Sequence, residues 1–112
     1  VRMMNAIVAG GDPEGLGEEL EALGATVERV DSPVFAGALE DAGIENADLF
    51  VLTDLTEGIS ITLAKEANPD VRAVCFGSGD LPESVAGTVD LVVDPSLLGA
   101  EAVAEELVDE LG

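Results

Sequence analysis

The residues best suited to ligand chemistry lie in a glycine-rich turn near the start of the chain. Residues 4–9 are mostly apolar and predict a β-strand, and Gly10, Gly11, Asp12 and Gly15 follow it. In α/β domains, a strand that leads through glycines into a helix presents backbone N–H groups and the helix N-terminus to a phosphate. The sequence therefore predicts a ligand-binding loop at residues 10–15, with the carboxylate of Asp12 inside it.

Three further polar residues end other predicted strands. Asp31 ends a strand over 25–31, and Thr53 with Asp54 closes an almost unbroken apolar strand over 47–53. In open parallel sheets, ligands bind outside the carboxyl ends of the strands, where the strand order reverses. We expect the amides of residues 10–15 to contact the ligand, Asp31 to contact any ribose, and Thr53 and Asp54 to line the opposite wall.

Strands and helices alternate along the whole chain. The apolar patterns predict strands over residues 4–9, 25–31, 47–53, 71–76 and 88–93, with helices between them and a last helix opened by Pro95. Such alternation is typical of a parallel sheet with helices on both faces. We predict one α/β domain over residues 1–112, a Rossmann-like three-layer sandwich whose five-stranded, mostly parallel sheet has the order 2-1-3-4-5.

The start of the second helix is predicted from its capping residues. Ser32 and Pro33 suit the N-cap and the first position of a second helix, which would pack Phe35 against the core. In the third and last helices, Ile59 and Leu97 fall on the apolar stripe that faces the sheet. Cys75 lies within an apolar strand and is expected to be buried.

The charge balance restricts the classes of partner. Asp and Glu number 24 against four Lys and Arg, which gives a net charge of −20. With no basic patch, nucleic-acid binding is disfavoured, and no apolar run is long enough to span a membrane. Because no leader precedes the first strand, we expect a soluble cytoplasmic protein, and salt that screens repulsion should stabilise it. The composition suggests a salt-rich, halophilic cytoplasm; an acidic interaction surface is the alternative.

Residues 42–74 resemble the nucleotide-binding domain of Trk- or RCK-type potassium-transport regulators. The phrases that carry the likeness are AGI at the end of a helix, an acidic-Ala-Asp turn before an apolar strand ending in Thr, and AKEANPD before the next strand, with IVAGG and DLVVDPSLL outside this range. The resemblance implies a Rossmann-like fold, binding of NAD or another adenine nucleotide, and a homodimer.

The Trk likeness also implies roles for single residues. The G-x-G-x-x-G motif of the family maps onto residues 10–15, with Asp12 in place of the second glycine, which normally lets the backbone approach a pyrophosphate. Asp31 lies 21 residues after Gly10, at the distance of a ribose-binding acid. The chain is shorter than the family pattern, because Asp31 runs directly into the AGI helix.

A receiver domain of a two-component system has the same strand order and size. Asp54 would then be the phosphoacceptor, with Asp12, Ser78 and Asp94 after the first, fourth and fifth strands. Receivers, however, hold the phosphoryl group with a lysine where this chain has Asp94, and bind Mg²⁺ through a pair of acids where Asp12 stands alone.

Three hypotheses follow, all without catalysis, because no His or Tyr and no spaced pair of carboxylates offers acid-base chemistry. The first is a regulatory or ligand-sensing protein that binds a nucleotide. The second is a dimeric interaction module without nucleotide binding, and the third is a degenerate receiver-like domain. A weak cation site formed by acids around the crevice, Asp12, Asp31 and Asp54 among them, is a further alternative.

Overall fold

The computed structural model describes residues 4–111, which form five strands and five helices in alternation. The strands are β1 (Asn5–Ala9), β2 (Thr26–Val30), β3 (Leu49–Leu52), β4 (Arg72–Phe76) and β5 (Leu91–Val93). The helices are α1 (Leu16–Ala22), α2 (Ala36–Asp41), α3 (Ile59–Ala67), α4 (Glu83–Ala86) and α5 (Ala100–Leu111). Short 3₁₀ turns lie at Ile44–Asn46 and Leu55–Glu57. No helix within residues 4–111 is long and apolar enough to cross a membrane.

The sheet confirms the predicted topology. Its order is β2-β1-β3-β4-β5, and every neighbouring pair is parallel. All four residues of β3 are buried, as expected for a central strand covered on both faces. The order reverses between β1 and β3, so the loops that follow these two strands lie side by side at the carboxyl edge of the sheet.

Two apolar layers enclose the sheet. On one face, β-strand residues such as Ile7 and Phe50 pack with α2, α3 and α4. On the other face, Val8 and Phe76 pack with α1 and α5. Cys75 is buried as predicted, and this burial raises the pKa of its thiol from 9.0 to about 11.

The second helix begins later than the sequence indicated. Ser32 and Pro33 do not open it; α2 starts at Ala36, and Phe35 occupies the N-cap without a side-chain cap. The hydroxyl of Ser32 donates instead to Glu57, on a different loop. Phe35 is therefore 64% exposed, and the prediction that it packs in the core was wrong.

Two other apolar residues also lie outside the core. The last helix begins at Ala100, not near Pro95, so Leu97 belongs to the preceding turn and is 80% exposed. Ile59 is the first residue of α3 and is 62% exposed. The apolar periodicity in the sequence extends beyond the part of each helix that packs against the sheet. Apolar residues outside that part remain at the surface.

The amino edge of the sheet contains a separate ion pair. Lys65 Nζ donates to Asp90 Oδ2 (2.8 Å) and to the carbonyl of Val71 (2.7 Å), while the Ala73 N–H donates to the same Asp90 oxygen (2.8 Å). Partial burial opposes ionisation of Asp90, but these hydrogen bonds and the charges of Lys65 and Arg72 outweigh it and lower the Asp90 pKa. The Lys65–Asp90 ion pair thus lies at the edge of the sheet opposite the loops that follow β1 and β3.

Candidate functional site

The carboxyl edge between β1 and β3 brings together four of the seven residues that the sequence selected. The Thr53 hydroxyl donates to the Ala9 carbonyl (2.9 Å) and accepts from the Asp12 N–H (3.1 Å). Gly10 has a φ of +99°, and a Cβ on it would collide with Thr53 Oγ1 and lie 3.3 Å from the Asp54 amide nitrogen. Only glycine combines that φ with so close an approach, so Gly10, Asp12, Thr53 and Asp54 form one tight junction.

The carboxylate of Asp12 accepts hydrogen bonds from the N–H groups at the start of α1. Its Oδ1 accepts from the Leu16 N–H and its Oδ2 from the Gly17 N–H, each at 2.9 Å. The side chain is 6% exposed, and its residue holds a φ of +50°, which aspartate tolerates better than most residues. A protein carboxylate thus satisfies the amides that a phosphate would need in a dinucleotide-binding turn.

Arg29 completes this arrangement from the neighbouring strand. Its Nη1 lies 3.2 Å from Asp12 Oδ2, and its Nη2 lies 3.3 Å from Glu21 Oε1. The guanidinium covers Gly17, where a Cβ would come within 2.9 Å of Nη2. Sequence reasoning did not identify Arg29 as a site residue. The available signal was its position on the predicted strand beside the first one, in a chain with very few cations.

The remaining predicted residues lie around this junction. Gly15 is the N-cap of α1 with a φ of +72°, whereas a Cβ on exposed Gly11 would meet open space. Asp31 follows β2 and is exposed, next to a cavity of about 390 Å³ that it lines with Ala38 and Asp41 of α2. The proposed ribose acid therefore lines this cavity together with another acidic residue, Asp41.

The acids that follow β3 and β5 bond within their own turns. Asp54 Oδ1 accepts from the N–H (3.0 Å) and the hydroxyl (2.6 Å) of Thr56. Asp94 Oδ1 accepts in the same way from the N–H and hydroxyl of Ser96, at 2.9 and 2.8 Å. These two hydrogen bonds lower the pKa of the Asp94 carboxyl. Both side chains act as local turn caps.

Glu57 joins two loops of the carboxyl edge. Its Oε2 accepts from the Ser32 hydroxyl (2.6 Å) and its Oε1 from the Val34 N–H (2.8 Å). The loop before α2 is therefore fixed to the loop before α3. Within residues 4–111, no group of three or more His, Cys, Asp or Glu side chains could hold a metal ion, so the alternative of a cation site among these acids gains no support.

A family comparison covers nearly the whole chain. The sequence profile of a family of unknown function (DUF7126) matches residues 6–107. The chain belongs to this family. No curated protein matches the sequence.

The solved structures that match this chain include response regulators and pilus assembly proteins. An orphan response regulator of H. pylori matches with a TM-score of 0.71 at 12% identity, over 97% of both chains. A putative pilus assembly protein from Burkholderia thailandensis matches with a TM-score of 0.62 at 16% identity, over 96% of this chain and 97% of its own.

A response regulator from Burkholderia pseudomallei, solved with a phosphorylated aspartic acid, matches with a TM-score of 0.61 at 20% identity, over 96% of this chain and 72% of its own. At these identities the likeness concerns the fold alone. The DUF7126 protein thus has the flavodoxin-like fold of receiver domains.

These comparisons correct two interpretations of the sequence. The resemblance to Trk- or RCK-type domains was wrong, because the matching structures are receiver-like and the family profile is a different one. Its short phrases reflect a strand and helix alternation that many parallel α/β domains share. The comparisons do not support binding of NAD or of another adenine nucleotide. They also do not support adaptation to a salt-rich, halophilic cytoplasm.

Proposed function

We propose that the DUF7126 protein is a regulatory interaction domain with a receiver fold that works without aspartyl phosphorylation and without catalysis. The single observation that carries this proposal is the use of Asp12. Its two carboxylate oxygens are taken by the amides of α1 and by Arg29. In a phosphorylated receiver, acids at this position hold the Mg²⁺ that neutralises the phosphoryl group.

The lysine that holds the phosphoryl group in receivers is replaced in this sequence as well. Asp94 stands before Pro95 where receivers have a lysine. Lys65 is held at the amino edge by Val71 and Asp90. Within residues 4–111, a phosphoryl group on Asp54 would thus have acidic neighbours and neither a metal site nor an ammonium group to stabilise it, and this environment disfavours its formation.

The test is phosphorylation in the presence of Mg²⁺. The full chain is incubated with acetyl phosphate or beryllium fluoride, and intact-mass spectrometry and amide NMR shifts around Asp54 are recorded, with Asp54→Asn as the control. We expect no added mass. We also expect the reagent to change the amide NMR shifts of the wild type no more than those of Asp54→Asn. Added phosphate that Asp54→Asn abolishes would overturn the proposal.

Self-association is a second candidate function, favoured by exposed apolar residues at the edge of the sheet. Val92 of β5 is 50% exposed, and Leu97 and Leu98 lie exposed in the turn that follows. A homodimer that joined two copies at this edge would bury them. Because each copy carries a net charge of −20, such a dimer should strengthen with salt.

Light scattering across a salt series measures this association. We expect a mass of two chains at high salt and of one chain in the variant Leu97→Lys. A mass of about 11 kDa at every salt concentration would refute the dimer, without bearing on the phosphorylation experiment.

A further inference from the structure

Two exposed apolar side chains lie at the adjoining starts of α2 and α3. Phe35 precedes the first residue of α2, and Ile59 is the first residue of α3. More than three fifths of each side chain is accessible to solvent. Glu57 fixes the loops that lead into the two helices, because it accepts hydrogen bonds from Ser32 and Val34. The two apolar residues are therefore presented by a braced part of the fold.

A groove runs between the two helices. Its volume is about 260 Å³, and its six lining residues are Ala36, Leu39, Glu40, Leu63, Glu66 and Ala67. Ile59 lies four residues before Leu63, on the same side of α3, so it extends the apolar lining toward the helix start. Glu40 and Glu66 are exposed near the ends of their helices. The α2–α3 groove is thus apolar toward the helix starts and acidic toward the helix ends.

We propose that the α2–α3 groove docks a segment of another protein that has apolar side chains toward one end and Lys or Arg side chains toward the other. The apolar part would cover Phe35 and Ile59, and the basic part would pair with Glu40 and Glu66. No lining residue of the groove is basic. The proposal rests on the proposed function in one respect, that this domain acts by binding another protein.

The described part of a second copy, residues 4–111, does not offer the required charges. The three basic residues within 4–111 are each engaged in an ion pair, Arg29 with Asp12 and Glu21, Lys65 with Asp90, and Arg72 with Glu110. Two copies would also bring two net charges of −20 together. Charge complementarity therefore selects a basic partner and disfavours self-docking in this groove.

The dimensions of the groove limit the segment that fits. The six residues of α2 span about 9 Å along the helix axis, and the nine residues of α3 about 13 Å. About two turns of an amphipathic helix match this length, with apolar anchors one turn apart. A short segment is therefore sufficient.

An unbiased selection tests the chemistry of the partner. Short random peptides displayed on phage are selected on the full chain, and the enriched peptides are made synthetically, labelled and titrated by fluorescence anisotropy. We expect enriched peptides to combine apolar residues with Lys or Arg. Ile59→Lys should weaken their binding at least tenfold, whereas Leu23→Lys, at an exposed apolar position that ends α1, should not.

Charge reversal separates this groove from the general acidity of the protein. The pair Glu40→Lys and Glu66→Lys should abolish binding of the basic peptides and allow binding of the same peptides with Glu in place of Lys and Arg. The control pair Glu101→Lys and Glu105→Lys, on exposed positions of α5, changes the net charge equally. It should alter affinity less than threefold.

Three results would overturn the docking proposal: no enriched peptides, enriched peptides without basic residues, or equal losses in the groove pair and the α5 pair. Circular dichroism of each variant confirms folding before titration. Peptide binding and the phosphorylation test give independent readouts. Phosphorylation of Asp54 would overturn the proposed function and leave the peptide result unaffected. A failed peptide selection would overturn the docking proposal and leave the phosphorylation result unaffected.

Discussion

Removal of the Asp12 carboxylate is the perturbation that tests the site most directly. In Asp12→Ala the N–H groups of Leu16 and Gly17 lose their acceptors, and both residues are buried. A hydrogen bond to a charged group contributes about 1.5–3 kcal/mol, and a buried donor without a partner loses most of that amount. The pair with Arg29 adds less than about 1 kcal/mol, because the guanidinium is 44% exposed.

At the lower end of that range, the loss of these two hydrogen bonds gives an expected loss of about 3 kcal/mol for Asp12→Ala. Asp12→Asn keeps one acceptor oxygen and a side chain that tolerates the left-handed region, so it should lose about 1 kcal/mol. Arg29→Ala, which removes only the ion pair, should also lose less than about 1 kcal/mol. We therefore expect the wild type to be the most stable. Asp12→Asn and Arg29→Ala should follow at similar stability, and Asp12→Ala should be the least stable.

Urea denaturation followed by circular dichroism measures these differences. Potassium chloride at about 1 M keeps the Debye length near 3 Å, so the change in net charge between variants does not dominate the comparison. The larger loss corresponds to a fall in Tm of roughly 10 °C. If Asp12→Ala proved no less stable than Arg29→Ala, the carboxylate would not be holding the start of α1, and the argument against a metal or phosphate there would fail.

Three further predictions concern other parts of the molecule. A Cβ on Gly77 would lie 2.7 Å from the carbonyl oxygen of Thr53, so Gly77→Ala should lose about 2 kcal/mol in urea denaturation; Gly87→Ala, which meets nothing within 4 Å, should change stability little. Asp90→Asn should be less stable than the wild type at neutral pH, and because the folded-state pKa of Asp90 is lowered by its bonds to Lys65 and its neighbours, this difference should disappear in urea melts as the pH falls below 3.8. The Tm of the wild type should rise from low salt to molar potassium chloride because the net charge is −20; an unchanged Tm would show that repulsion does not limit stability.

The site was predictable only in part, and the reason lies in individual residues. A strand followed by glycines places Gly10 and Asp12 at the carboxyl edge whatever the ligand, and an apolar strand ending in Thr53 and Asp54 must reach the same edge. The partners of these residues come from elsewhere in the chain. Arg29, which covers Gly17 and meets Asp12, lies on a different strand, and no local pattern connects them.

The sequence by itself determined the layers and the order of the sheet, because alternating apolar strands and amphipathic helices bury their apolar faces in few ways. It also determined the net charge, and with it the basic character of the partner proposed for the α2–α3 groove. Only the tertiary structure decided that Phe35, Ile59 and Leu97 stay exposed. It also decided that the Asp12 carboxylate accepts hydrogen bonds from the start of α1. Periodicity marks the side chains that are able to face a sheet, whereas the position at which a helix begins, set by contacts between distant residues, determines which of them do.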